Sequence, residues 1–302
     1  MLSAGAVGLA LALDTAVAEL PNSLHPVAWF GRAVAPLDRE WGAPRLVGLC
    51  SAVALPLTAA AVAWVGITAA TTASLLLGAV LAGLALFVTT SLRRLLSTAR
   101  QVSEDSERDL PAAREGLRAL AGRDASELTA GQVRSAAVES AAENLADGLV
   151  APLAAFALGA QVSLALGAAA AVWVKAVNTM DSMLGYRSKP VGWAPARLDD
   201  AVMWTPARAS ALLLAVAAGA PTALARAAYW VESVPSPNSG WPMGTLAAAL
   251  SVRLEKPGAY VLNPTAALPT VEDSRRARRV VAVAGVLAYA LAAFVVVLPE
   301  VR

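Results

Sequence analysis

The chain has 302 residues, 57% of them hydrophobic and only 15% charged, with a formal net charge of +2. Soluble domains carry roughly 25% charged residues, so this balance excludes an ordinary soluble globule, and the small net charge argues against nucleic acid. A single cysteine, Cys50, excludes an internal disulfide, and a single histidine, His25, excludes a zinc site built from several His and Cys ligands.

Taken in chain order, the first apolar stretch is Leu2–Leu20. It lacks a basic leader, and Asp14 and Glu19 interrupt the region where a cleavage site would fall. It therefore reads as a retained first helix, though a weak membrane span. The loop Asn22–Arg45 holds His25. Leu46–Ile67 and Thr72–Leu92 follow, each near the ~20 apolar residues that a crossing requires.

The next segment, 93–135, carries 15 charged residues and reads as a cytoplasmic helical insertion rather than a span. Near its end Thr129-Ala-Gly-Gln132 has the pattern of a capping box, predicting a helix that runs toward Asp147. On such a helix Glu139, Glu143 and Asp147 stack at i, i+4 and i+8. Like charges at that spacing oppose the helix, so an external divalent cation is expected to neutralise the row.

Two apolar regions are interrupted. Leu149–Val177 breaks at Gly159-Ala160-Gln161, and Ala209–Val231 breaks at Gly219-Ala220-Pro221. Both predict re-entrant hairpins, which are tolerated at membrane depth where protein buries their backbone. Val280–Leu298 is a further clear span. The arginine clusters Arg93, Arg94, Arg100 and Arg275, Arg276, Arg278, Arg279 place those loops in the cytoplasm. Four crossings, two hairpins and both termini outside complete the expectation. The predicted fold is an all-α, polytopic membrane helical bundle forming one membrane-embedded domain over residues 1–302.

Polar side chains interrupt this greasy background between Glu139 and Arg208, and polar groups near lipid usually mark a site. Lys175, Asn178 and Ser182 share a helix face at i, i+3 and i+7, with Asp181 beside them. Arg197, Asp199, Asp200 and Arg208 suit a cation with a polyphosphate: carboxylates hold the metal, and guanidiniums fork onto phosphate oxygens. The same acids also suit a helix N-terminus, where they favour the dipole. In Ser236-Pro-Asn238-Ser239-Gly-Trp-Pro242, Asn238 or Ser239 is expected to cap a helix beginning near Met243. No phosphate-cradling glycine motif and no G-x-S-x-G elbow is present.

Several long motifs occur in one order: Leu11–Arg32 with its N-S-L-H-P, Val138–Leu153 with E-S-A-A-E-N-L-A-D-G, N-T-M-D-S-M-L-G-Y-R at Asn178–Arg187, G-W-A-P-A-R-L-D-D at Gly192–Asp200, S-P-N-S-G-W-P at Ser236–Pro242 and L-E-K-P-G-A-Y at Leu254–Tyr260. Together they resemble the adenosylcobinamide-phosphate synthase (CobD/CbiB) family of cobalamin biosynthesis. The first motif departs from the family's Gly-Asp-Pro or Gly-Glu-Pro, with Glu19-Leu20-Pro21 in its place. The resemblance implies a multi-pass protein of the cell (inner) membrane whose active site faces the cytoplasm. It implies an amide-forming ligase that joins (R)-1-aminopropan-2-ol, or its O-phosphate, to a propionate of adenosylcobyric acid, with ATP and Mg²⁺ as cofactors. Partners would be those substrates, membrane lipid and other late-pathway membrane proteins, with no nucleic acid. Under that reading Glu139, Glu143, Asp147, Asp181 and His25 are the catalytic candidates. Asp199, Asp200, Glu143 and Asp147 are candidate metal ligands. Asn144, Lys175, Asn178, Ser182, Arg187, Arg197, Arg208, Ser236 and Asn238 would bind substrate.

Two other classes compete. A CDP-alcohol phosphotransferase needs arginine in D-G-x-x-A-R, where this chain has Asp147-Gly-Leu-Val-Ala-Pro152. A transporter predicts mid-membrane polar groups and internal symmetry, and no repeat is visible.

Overall fold

The computed structural model describes all residues except 122–123, 187 and 299–302, and the side chains of 119 and 121. The fold is all-α, with one small β-hairpin among the described residues. Among the described residues four helical stretches are long and apolar enough to cross a membrane: Pro44–Ala73, Leu75–Arg108, Ala130–Gly159 and Val271–Val297. The chain divides into two compact units, one built from 1–91, 147–203 and the stretch from 288, the other from 92–146 and 204–287.

In the first unit, α1 (Leu2–Val17) packs on α4 (Leu75–Thr89). A Cβ on Gly83 would come within 2.9 Å of Leu9 and 3.0 Å of the Ala6 carbonyl, so this close approach requires glycine. With 16 residues α1 falls just short of the ~20 expected of a crossing, while Ala130–Gly159 is a long apolar stretch that is not among the expected spans. The amphipathic α2 (Pro26–Val34) precedes α3 (Pro44–Ala73), a 30-residue helix that packs against α9 (Leu164–Leu184). The apolar region 149–177 is a helical hairpin of α8 (Ala151–Gly159) and α9, turning where Gly159-Ala160-Gln161 predicts. Ser163 caps α9 by accepting the Leu166 N–H at 3.1 Å. The short α10 (Trp193–Val202) then packs on α9 and α3.

The second unit begins with the charged segment, folded as α5 (Leu92–Arg108), α6 (Leu110–Ala121) and α7 (Ala130–Leu145). Its helices bury Val102, Leu117, Val133 and Ala137 in a core of their own. The predicted capping box is present: Thr129 and Gln132 exchange bonds at the start of α7. Arg134 ties α7 to the Pro269 carbonyl at 2.6 Å and to Ser106 Oγ at 3.0 Å. The region 209–231 is interrupted as predicted, giving α11 (Trp204–Ala217) and α12 (Ala223–Ala228) around Gly219, whose φ of 61° is a left-handed turn. Then come α13 (Gly240–Leu250), the antiparallel strands β1 (Leu254–Lys256) and β2 (Tyr260–Leu262), and α14 (Val271–Val297), which continues into the first unit. The hairpin pairs Leu254 with Leu262 and turns at Gly258, φ 74°.

Candidate active site

The helix that carries Glu139 does not continue as a regular α-helix to Asp147. A π-helical turn, Ala146–Val150, follows α7, and such turns often occur at functional sites. Asp147 lies in this π turn, beyond the end of α7. The turn is held by the Ser91 N–H, which donates to the Gly148 carbonyl at 3.1 Å.

Asp147 meets two predicted partners within the first unit. The Asn178 amide on α9 donates to Asp147 Oδ2 at 3.3 Å and to Asp199 Oδ1 at 3.5 Å. One neutral amide is therefore shared between two carboxylates from different elements. Asp199 and Asn178 are buried. Burial raises the Asp199 pKa well above the ordinary carboxylate range, and the charges of Asp147 and Asp181 push it the same way. Asp200 is also raised by burial, with Arg197 at 3.9 Å opposing. Both aspartates sit in the C-terminal half of α10, so the alternative of acids at a helix N-terminus does not hold.

Lys175 lies one turn before Asn178, and its electrostatic neighbours are Asp147, Glu19 and Asp199. Ser182 Oγ donates to the Asn178 carbonyl at 2.9 Å, an internal bond of α9, and its side chain is otherwise exposed. Arg197 is largely exposed, and Arg187 lies outside the described residues.

His25 is the N-cap of α2. Its Nδ1 accepts the Val27 N–H at 3.2 Å, and Nε2 stands 3.8 Å from Glu19. Burial lowers its pKa, against the raising effect of Glu19. Pro26 follows at the first helical position, where its missing N–H leaves no bond unmade.

The second unit holds two further constellations. Glu139 is completely buried, yet Ser135 Oγ donates to one of its oxygens at 2.8 Å and Tyr260 OH to the other at 2.9 Å. Ser135 Oγ also accepts the Glu255 N–H at 2.8 Å. Glu139 thereby fastens the β-hairpin to α7. Both Glu139 carboxylate oxygens thus accept hydroxyl donors. Glu143, one turn on, is half-buried, and Asn144 donates to the Ser140 carbonyl at 2.9 Å.

The other constellation is centred on Arg208. Its guanidinium donates to the Trp204 carbonyl at 2.9 Å and to Asn238 Oδ1 at 3.1 Å, and it stacks on Trp204 (4.2 Å) and Trp241 (5.3 Å). Ser236 Oγ accepts the N–H groups of Asn238 and Ser239, turning the loop toward Arg208. Ser239 is the N-cap of α13 but makes no side-chain cap bond, and α13 starts at Gly240 rather than near Met243. Sequence reasoning missed Ser135, Tyr260 and both tryptophans. The available signals were the Pro-Gly turn before Tyr260 and the tryptophans flanking an arginine.

Among the described residues no three His, Cys, Asp or Glu side chains converge as a metal cage. Asp147 and Asp199, drawn together on one amide, still suit Mg²⁺, which takes one or two carboxylates and completes its shell with water and phosphate.

Comparison with known proteins gives a consistent picture. No solved structure matches the chain. The "Probable cobalamin biosynthesis protein CobD" of Methanothrix thermoacetophila is 37% identical over 305 residues, covering 96% of each chain. The "Cobalamin biosynthesis protein CobD" of Mycobacterium tuberculosis strain H37Rv is 40% identical over 286 residues, 85% of this chain and 84% of the relative. That of Rhodobacter capsulatus is 35% identical over 297 residues, 90% and 89%. The family model described as "CobD/Cbib protein" matches residues 7–290, a range that takes in all three constellations, and on that ground the chain belongs to the CobD/CbiB family.

Proposed function

We propose that this protein is a membrane enzyme of cobalamin biosynthesis, an adenosylcobinamide-phosphate synthase. It would form an amide between a propionate of adenosylcobyric acid and (R)-1-aminopropan-2-ol or its O-phosphate, using ATP. Family membership supports the pathway. The observation that carries the chemistry is the Asp147–Asn178–Asp199 group, in which Asn178 and Asp199 are buried. The motifs imply an active site facing the cytoplasm from a cell membrane.

Amide formation from a carboxylate and an amine requires the carboxylate to become an acyl donor. ATP would transfer its γ-phosphoryl group to the propionate, giving an acyl phosphate and ADP. The amine, having lost one ammonium proton, would then attack the acyl carbon; phosphate would leave, and a second proton would be lost from nitrogen to give the amide. Asp147 and Asp199 would hold Mg²⁺, which when bound offsets phosphate charge. Asn178 fixes the separation of those two carboxylates. Asp181, a turn beyond Asn178, is proposed to orient the amine and accept its proton. Arg208, pre-oriented by Asn238 and the indoles, is proposed to bind a phosphate.

The test is incubation of purified protein with adenosylcobyric acid, aminopropanol phosphate, ATP and Mg²⁺, followed by mass analysis of the corrinoid. A corrinoid heavier by the amine less one water, formed only with ATP present, is expected. Unchanged adenosylcobyric acid with folded protein would contradict the reading.

A further inference from the structure

A cavity of about 540 Å³ opens between α2, α3, α4 and α9, within the range of about 300–1,000 Å³ typical of small-molecule sites. Its walls include Trp29, Phe30, Ala59, Val62 and Leu84, and its one charged wall residue is Lys175. Nothing in the chemistry proposed above uses this space. A nucleotide, a phosphate or an amino alcohol would find almost no polar partner there.

The cavity's outer wall is itself a membrane-facing surface. Only 17% of the apolar window of α3 is buried inside the protein, and Val62 is 69% exposed while lining the cavity. Trp29 is 48% exposed at the same opening. An apolar cavity that opens sideways from a lipid-facing helix offers water no hydrogen-bond partners. Left empty, it would forfeit the dispersion contacts of its lining. A hydrocarbon chain from the bilayer satisfies both conditions.

We propose that this cavity binds one acyl chain of a bilayer phospholipid, held between α2, α3, α4 and α9. The chain would pack along the aliphatic stem of Lys175, whose ammonium lies in the field of Asp147, Glu19 and Asp199. It would thus close the lipid side of the acidic group and keep water from approaching it through the membrane. Lipid in this position is a structural ligand, distinct from any corrinoid.

The test reconstitutes the full-length protein in palmitoyl-oleoyl phosphatidylglycerol vesicles, extracts it into dodecyl maltoside and counts retained lipids by native mass spectrometry. The wild type is expected to keep one phospholipid after excess lipid is removed. Ala85→Phe and, separately, Ala59→Leu fill the cavity from different helices and are expected to lower that occupancy at least fivefold. Thermal unfolding identifies the variant that remains folded. Three results would overturn the proposal: a folded wild type stripped of all lipid, full occupancy in a folded cavity-filled variant, or displacement of the lipid by adenosylcobyric acid. The last would assign the cavity to substrate.

Discussion

Asn178 is the side chain on which the acidic group depends, because one amide nitrogen serves two carboxylates. Replacing it by leucine removes the donor that Asp147 and Asp199 share. Asp181→Ala and Asp199→Asn are expected to lower synthesis by about 10²-fold or more, the scale of a lost acid–base or charge-stabilising group. Near-normal product formation by either folded variant, measured by corrinoid mass, would remove that residue from the chemistry. The raised pKa of Asp199 has a stability consequence with a definite sign. In cation-free protein the native state holds this proton more tightly than the unfolded chain does. Stability from this group is therefore present at acid pH and declines as pH rises from the ordinary carboxylate value toward the raised one. Asp199→Asn should flatten that slope and raise the melting temperature at neutral pH. A steeper decline in the variant would show that Asp199 is not the group responsible. Tyr260→Phe is different: it strips a donor from a buried carboxylate oxygen, costing about 1–3 kcal/mol. Chemical denaturation should register that loss, while activity per folded molecule stays near normal.

At the scale of elements, local chemistry in the sequence was informative where a few adjacent residues decide the outcome. Thr129 and Gln132 predicted the start of α7, and the structure has both bonds of the box. Gly159-Ala160-Gln161 and Gly219-Ala220-Pro221 marked the two hairpin turns. Asp147, Asn178 and Asp199 were named as candidates from residue type alone. Their meeting on one amide depends on a π turn and on the packing of α9 with α10, which no local spacing encodes. The same limit applies to Glu139. Its two oxygens accept from Ser135 and from Tyr260, the latter 121 positions away, a pairing that local charge spacing does not encode. The cap makes a separate prediction: Thr129→Ala should cost about 1 kcal/mol, read from the denaturation midpoint. An unchanged midpoint would show that α7 is held by its packing alone.

For the whole molecule, a greasy helical scaffold carries a small set of buried and half-buried acids. Among the described residues four helical stretches are long and apolar enough to cross a membrane; Asp147 lies within one of them, Ala130–Gly159, and Asp199 on the short α10. Arginine placement predicts that a reporter fused after the last helix lies outside the cytoplasm. A cytoplasmic reporter signal would reverse the orientation. The central claim is that the amide-forming step takes place at the Asp147–Asn178–Asp199 group. The most direct measurement is single-turnover formation of the amidated corrinoid by wild type and by Asn178→Leu, at saturating ATP across a Mg²⁺ titration. The account predicts that the variant, folded and still membrane-inserted, loses at least about 10²-fold in rate and requires far more Mg²⁺. Wild-type rate and wild-type Mg²⁺ dependence in that variant would contradict it.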